Sequence, residues 1–153
     1  MIATARNASF LRGDGGFGGN SEGQPKPNPI PDRPPDEVHV LPTAPSQALL
    51  YRLSGDLNPL HIDPAVAAVA GFPRPILHGL CTFGVAGRSL LASLCDNEPS
   101  ALRKMGARFS APCFPGETIR TEIWRDGFGS ASFRASVVER DLTVLNNGFV
   151  EFA

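Results

Sequence analysis

An α+β domain, with one long buried helix followed by antiparallel strands, is what this 153-residue sequence predicts. Three observations carry the prediction. The segment GLCTFGVAGRSLLASLC, residues 79–95, is apolar, rich in small residues and free of proline, the mark of a helix buried on most sides. From residue 102 onward, apolar and polar residues alternate between turn signals, as sequential hairpin strands do. Upstream of residue 79, proline, glycine and Asx residues divide the chain into short helices and loops. One helix long enough to be wrapped, with strands to wrap it, is a sheet-around-helix architecture.

In chain order, residues 1–12 mix small and apolar residues and fit a strand. Residues 13–19, GDGGFGG, are too glycine-rich for the interior of an element. They contain neither GK[ST] nor a GxGxxG entering a helix, so they read as a flexible link rather than a phosphate cradle. PKPNPIPDRPP, residues 25–35, is extended and solvated on composition. Residues 1–36 therefore read as a strand and a Gly/Pro-rich linker with no hydrophobic core of their own, and residues 37–153 as the domain. EVHVL alternates as a short strand, with His39 at its surface or edge. PSQALLYRL, residues 45–53, predicts a short helix with Ser46 as N-cap and Tyr51 packing against the domain.

SGDLNPLH, residues 54–61, is a polar loop, because Ser54-Gly55-Asp56 and Asn58-Pro59 are turn-forming groups. DPAVAAVAG follows as a short helix, with Asp63 as N-cap, Pro64 in the first turn and Gly71 as the stop. Pro73 and Pro75 then hold FPRPILHG extended ahead of Gly79. His78 reads as the residue that caps the long helix and holds its loop; a third catalytic group is the other reading. That helix stops near Cys95, at DNEPS. Residues 102–110, 118–125, 129–140 and 142–152 are strands, with Ile119, Thr121 and Ile123 on one side. Asp126-Gly127 predicts a turn, and Asn147-Gly148 a hairpin turn or a bulge.

Composition narrows the function. A net charge of -1 argues against a nucleic-acid or anionic-membrane surface. The three cysteines, Cys81, Cys95 and Cys113, have no framework or zinc spacing and read as buried free thiols. With no signal peptide, no uninterrupted long apolar run and no SKL-type C-terminus, a reduced cytoplasmic setting is expected. Asp56, His61, Asp63 and His78 fall in no HExxH or comparable pattern, so no metal is expected.

The chemistry gathers at residues 56–79. Asp56 and His61 are five residues apart, which a helix would not bring to one face but a folded loop can. An acid and an imidazole sharing one water can move the protons that adding water to a double bond requires. Asn58 would steady the water or the carboxylate. The alternative is an Asp56 that caps the next turn and a His61 at the surface. Gly79, at the first turn of the long helix, can offer its N–H to a carbonyl oxygen, or can serve only close packing.

YRLSGDLNPLHIDPAVAA, followed by PILHGL, resembles the hydratase 2 motif of the MaoC-like dehydratases, which include R-specific enoyl-CoA hydratases. The resemblance runs from about Pro31 to the C-terminus. It implies a hot-dog fold, an antiparallel sheet around a central helix. It implies hydration of trans-2-enoyl-CoA to (3R)-3-hydroxyacyl-CoA, with no metal or organic cofactor. By matching positions, Asp56 and His61 become the catalytic pair, with Asn58, Gly79 and Phe109 contacting substrate. Arg74 and Arg108 are the candidates to lie near CoA phosphates, with ordinary solvated charges as the favoured reading of both. Sites in this family lie between two hot dogs, so the resemblance implies a homodimer or pairing with a second hot-dog half. A non-catalytic acyl-CoA-binding half and a hot-dog thioesterase are the competing readings.

Overall fold

The computed structural model describes residues 3–9, 13–19 and 26–153. Its elements are β1 (Glu37–Pro42), α1 (Gln47–Tyr51), α2 (Pro64–Val69), α3 (Gly79–Leu94), β2 (Leu102–Phe109), β3 (Thr118–Gly127), β4 (Ser130–Val137) and β5 (Leu142–Phe152). Short 3-10 turns at Arg52–Ser54, Pro59–His61 and Pro99–Ala101 complete them. The strands form one sheet in the order β1-β3-β4-β5-β2, every pair antiparallel. The sheet curls around α3, which touches β1, β2, β3 and β5. This is the hot-dog arrangement, and the expected α+β class holds. Among the described residues, no helix is long and apolar enough to cross a membrane.

The 16 residues of α3 bury Thr82, Ala86, Leu90 and Leu94, one side chain every fourth residue. Leu80, Gly84 and Arg88 form the one exposed strip, so the helix is enclosed on most sides. Small residues let it sit close to the sheet: a Cβ on Gly87 would lie 3.4 Å from the Met105 sulfur. Facing it, Ile119, Thr121 and Ile123 of β3 are wholly buried, as their alternation predicts. The three free cysteines are buried too. Burial raises the thiols of Cys81 and Cys95 and pushes that of Cys113 up to about 12, so none is a ready nucleophile at neutral pH.

Several local expectations hold and several are corrected. Asp63 caps α2, its carboxylate accepting the Ala65 N–H at 2.8 Å, with Pro64 in the first turn and Gly71 at φ +83° after the end. Ser46 sits at the N-cap of α1 but makes no side-chain capping bond. Residues 3–9 form no strand, and residues 1–2 and 10–12 of that predicted strand lie outside the described ones. The turn expected at Asp126-Gly127 falls at Phe128-Gly129, because Gly127 still pairs with Ser130 and the Ser132 hydroxyl donates to the Asp126 carboxylate at 2.6 Å. Asn147-Gly148 is a bulge inside β5: its pairings step by three residues where β2 and β4 step by two. Asn147 takes φ +53° there.

The largest correction concerns residues 26–36. They are extended but not merely solvated; they strap the outer face of the sheet. The Asn28 amide donates to the Ser132 hydroxyl and the Gly148 carbonyl, and its own carbonyl accepts from Asn147. The indole N–H of buried Trp124 donates to the Arg33 carbonyl at 2.7 Å. Arg33 and the Arg125 N–H both bind the Asp36 carboxylate and hold it at about 2. These partners lie about a hundred residues away in sequence, so composition alone gave no sign of them.

Candidate functional site

The loop between α1 and α2 folds back on itself. Gly55 at φ +113° ends the first 3-10 turn, a conformation glycine takes without strain. Asp56 is exposed, and its carboxylate accepts the Asn58 N–H at 3.3 Å. The Asn58 side chain accepts the Leu60 N–H at 3.0 Å and caps the turn that carries His61. Asn58 thus shapes the loop, its backbone toward Asp56 and its side-chain oxygen toward its own turn. Of the two roles expected of it, steadying the carboxylate falls to its backbone N–H.

His61 is buried and directed by a backbone atom. Its Nδ1 lies 2.8 Å from the Ile76 carbonyl. A carbonyl only accepts, so neutral His61 carries its proton on Nδ1 and keeps Nε2 as a lone pair. His78 sits at the N-cap of α3 but makes no side-chain capping bond, so the capping half of its expected role fails. The loop-holding half holds: its Nε2 lies 3.1 Å from the Asp56 backbone carbonyl. The His78 ring stacks on His61, centroids 3.7 Å apart and planes 26° from parallel. Tyr51 packs against the same ring at 4.8 Å, so its packing reading is the one seen.

One ligating atom each from Asp56, His61 and His78 falls within 4.8 Å of the others. The trio is a poor metal cradle. In-plane lone pairs of two nearly parallel stacked rings run side by side, whereas a tetrahedral centre needs them to converge at ~109°. The same group suits a water: two hydrogen bonds of ~2.8 Å meeting near the tetrahedral angle span ~4.5 Å.

Gly79 opens α3, and among the described residues neither its N–H nor that of Leu80 meets a backbone acceptor, while Cys81 and Thr82 donate to the His78 carbonyl. Phe109, at the end of β2, lies against it; a Cβ on Gly79 would be 3.2 Å from that ring. Both residues border an apolar cleft of about 330 Å³, with Phe72, Ile76, Thr82 and Cys113. Asp56 and His61 are not in its lining. They adjoin it through Ile76, whose carbonyl directs His61, and through Gly79, next to His78. Arg74 is engaged, its guanidinium 4.7 Å over the Phe114 ring, and Arg108 is exposed. His39, expected at the surface or an edge, lies on the edge strand β1, with its ring nitrogen 2.6 Å from the Ser93 hydroxyl on α3. Sequence reasoning missed the Ile76 carbonyl, a backbone atom with no side-chain signature, and the His61–His78 stack, whose only sign was a histidine before Gly79.

The MaoC like domain profile matches residues 26–147. The chain is 49% identical to 3-hydroxyacyl-thioester dehydratase Y of Mycobacterium tuberculosis, over 99% of this chain and 54% of that protein. It is 45% identical to the peroxisomal enoyl-CoA hydratase 2 of Arabidopsis thaliana, over 99% of this chain and 51% of that one. Its fold matches the crystal structure of a MaoC-like dehydratase from Phytophthora capsici with a TM-score of 0.90 and 44% identity, over 94% of this chain and 49% of the other. The chain thus spans about half the length of these relatives.

Proposed function

This chain belongs to the MaoC-like dehydratase family, and from that premise we propose that it adds water to trans-2-enoyl-CoA to give (3R)-3-hydroxyacyl-CoA. One observation carries the reading: an Asp56 carboxylate oxygen and a ring nitrogen of His61 lie within 4.8 Å of each other, near enough to share one water, and the Ile76 carbonyl holds the His61 ring. The thioester carbonyl docks on the Gly79 N–H, where the start of α3 favours negative charge. That polarisation makes C3 electrophilic. The water donates one hydrogen bond to Asp56 and one to the Nε2 of His61. As its oxygen bonds to C3, one acceptor takes a proton and the electrons of the double bond move onto the enolate oxygen. The proton then passes to C2, the carbonyl re-forms, and both side chains regain their starting states. Phe109 lines the approach to Gly79.

A second hot-dog unit completes the proposal. Leu49, Leu50, Leu53 and Leu57 surround the site loop with their side chains exposed, and Leu80 is 63% exposed at the start of α3. So many bare leucines suit a covered face. The cover is a second copy or a second hot-dog half, matching the half-length of this chain against its relatives. The division between residues 1–36 and a hot-dog unit from 37 belongs to the same proposal, with residues 28–36 strapped to that unit. The same leucines favour a second reading, an acyl-CoA-binding half that is inactive alone. A reducing compartment rests on the three free thiols, though several relatives are named peroxisomal. Light scattering with a crotonyl-CoA hydration assay and chiral analysis of the product decides between the two. A dimer forming the R alcohol is expected; a monomer without activity would favour the binding half, and release of CoA thiol from a saturated acyl-CoA would indicate a thioesterase.

The Gly79 donor has its own test. Proline is accepted at the first helical position, and His78, at φ -56° and ψ 135°, already has the geometry a residue before proline adopts. Gly79→Pro therefore removes the N–H while leaving α3 in place. Gly79→Ala adds the same Cβ against Phe109 and keeps the N–H. Relative to the alanine variant, the proline variant should lose ~10²–10³-fold in kcat, as loss of one oxyanion donor does. Equal rates in the two variants would remove Gly79 from the mechanism.

A further inference from the structure

We propose that His78 is a positioning residue for this reaction: a neutral imidazole that holds Asp56 by its backbone and His61 by its ring face. The inference rests on the hydratase reading. Its ground is that His78 touches both members of the pair and that, among the described residues, no other side chain does so by hydrogen bond or ring contact. It is 1% exposed, and its backbone is fixed by α3, since Cys81 and Thr82 donate to its carbonyl. Its Nε2 faces the Asp56 carbonyl, so that nitrogen bears the proton.

The other nitrogen then has only a lone pair. His78 Nδ1 is buried and meets no hydrogen-bond partner among the described residues. Protonating it would create a buried N–H with no acceptor, beside a second imidazole 3.7 Å away. Burial accordingly lowers the His78 pKa, with His61 and Arg52 acting in the same direction and Asp56 opposing them. A neutral ring under His61 has a use. When His61 takes the water's proton, the stack carries one positive charge rather than two. The stack also fixes the plane of His61, while the Ile76 carbonyl fixes its rotation within that plane. The Asp56 carbonyl cannot swing away while His78 donates to it. Water, carboxylate and imidazole thus meet in one arrangement before substrate arrives.

Two substitutions separate the two contacts. His78→Phe keeps an aromatic ring for the stack and loses the donor. His78→Gln keeps an amide donor and loses the ring. Each should lower kcat for crotonyl-CoA hydration by ~10–100-fold with KM changed less than ~3-fold, the scale on which misplaced groups act. Neither should lower the residual rate further in a His61→Ala background, because both act through that pair. A purely structural role predicts otherwise: a lower folded fraction, and a rate that drops in every background. Folded variants within ~3-fold of the wild-type kcat would overturn the proposal.

Nitrogen-15 spectra of the imidazoles in the unmodified protein at pH 7 provide a readout independent of turnover. A neutral His78 with its proton on Nε2 is expected, and an imidazolium or an Nδ1–H form overturns the proposal. If the unmodified chain hydrates nothing, it is the hydratase reading that fails, and the nitrogen spectrum alone decides the His78 assignment. Should His78→Phe not fold, His78→Gln and the spectrum decide.

Discussion

Asp56→Asn should lower kcat for enoyl-CoA hydration by ~10³-fold or more while leaving the fold intact, and His61→Ala should do the same. The reasoning is one of proton acceptors. A water that gives its oxygen to C3 must shed a proton as it does so, and general-base assistance contributes ~10²–10⁴-fold. The isosteric amide of Asn can still accept the Asn58 N–H that Asp56 accepts, so the loop keeps its shape. It cannot take a proton at neutral pH. Asp56 is exposed, so the substitution should change stability by no more than ~0.5 kcal/mol. His61→Ala removes a buried ring from beside His78 and needs a circular-dichroism check of folding. The two substitutions together should be no worse than the poorer single, because groups that share one water act as a unit. Either single variant keeping more than about a tenth of the wild-type kcat, with its fold verified, would break the assignment.

Glu117→Ala should destabilise the domain by about 3 kcal/mol, the low end for breaking a buried ion pair. Glu117 is 5% exposed at the head of β3, and its carboxylate is fully engaged. Arg140 reaches it through Nε at 2.6 Å and through a terminal nitrogen at 2.8 Å, and the Phe114 N–H donates at 2.7 Å. Arg140 also donates to the Pro112 carbonyl and lies over the Phe114 ring. Alanine leaves the Phe114 N–H without an acceptor and Arg140 without its counter-charge. Arg140 is partly exposed, so water recovers some of that loss, which sets the value at the low end. Urea titration should show the change, with a Tm lower by about 6–12 °C. A loss under 1 kcal/mol would mean that the pair is not a structural anchor.

The effect should reach the site as well. Glu117 holds the turn at Phe114, and the neighbouring Cys113 carbonyl accepts the Leu77 N–H at 2.7 Å. That bond ties the turn to the segment that delivers His78 and Gly79. The ion pair is therefore one link in the chain that sets the start of α3.

What could be read from the residues was what neighbouring residues decide. Asp63, Pro64 and Gly71 bracket α2 with their own chemistry, so its ends were legible. The alternation of Ile119, Thr121 and Ile123 set the inner face of β3 for the same reason. The convergence of Asp56 and His61 was legible as a possibility of the loop. Its orientation was not, because the Ile76 carbonyl that directs His61 lies 15 residues on and carries no side-chain signature. Which atom of Asn58 reaches the carboxylate was not legible either, since an amide at the start of a turn gives its side-chain oxygen to its own backbone first. The strap was misread for a related reason. Proline-rich composition states that a segment is extended, and only the folded sheet states what it lies on.

The bulge at Asn147-Gly148 sets the parity of β5. Leu145 and Val150 both face the core, although five residues, an odd number, separate them. An unbroken strand would send one of them outward. The extra residue reconciles them, and the space at Gly148 is already filled, since a Cβ there would come within 2.5 Å of the Phe133 carbonyl. Deleting one residue here would leave the two an even four positions apart, so an unbroken strand would keep both inward and only the bulge would be lost. A conservative point change nearby would leave that count untouched. For anyone aligning or re-engineering this chain, a one-residue gap at this point marks a lost bulge and not a shifted core face.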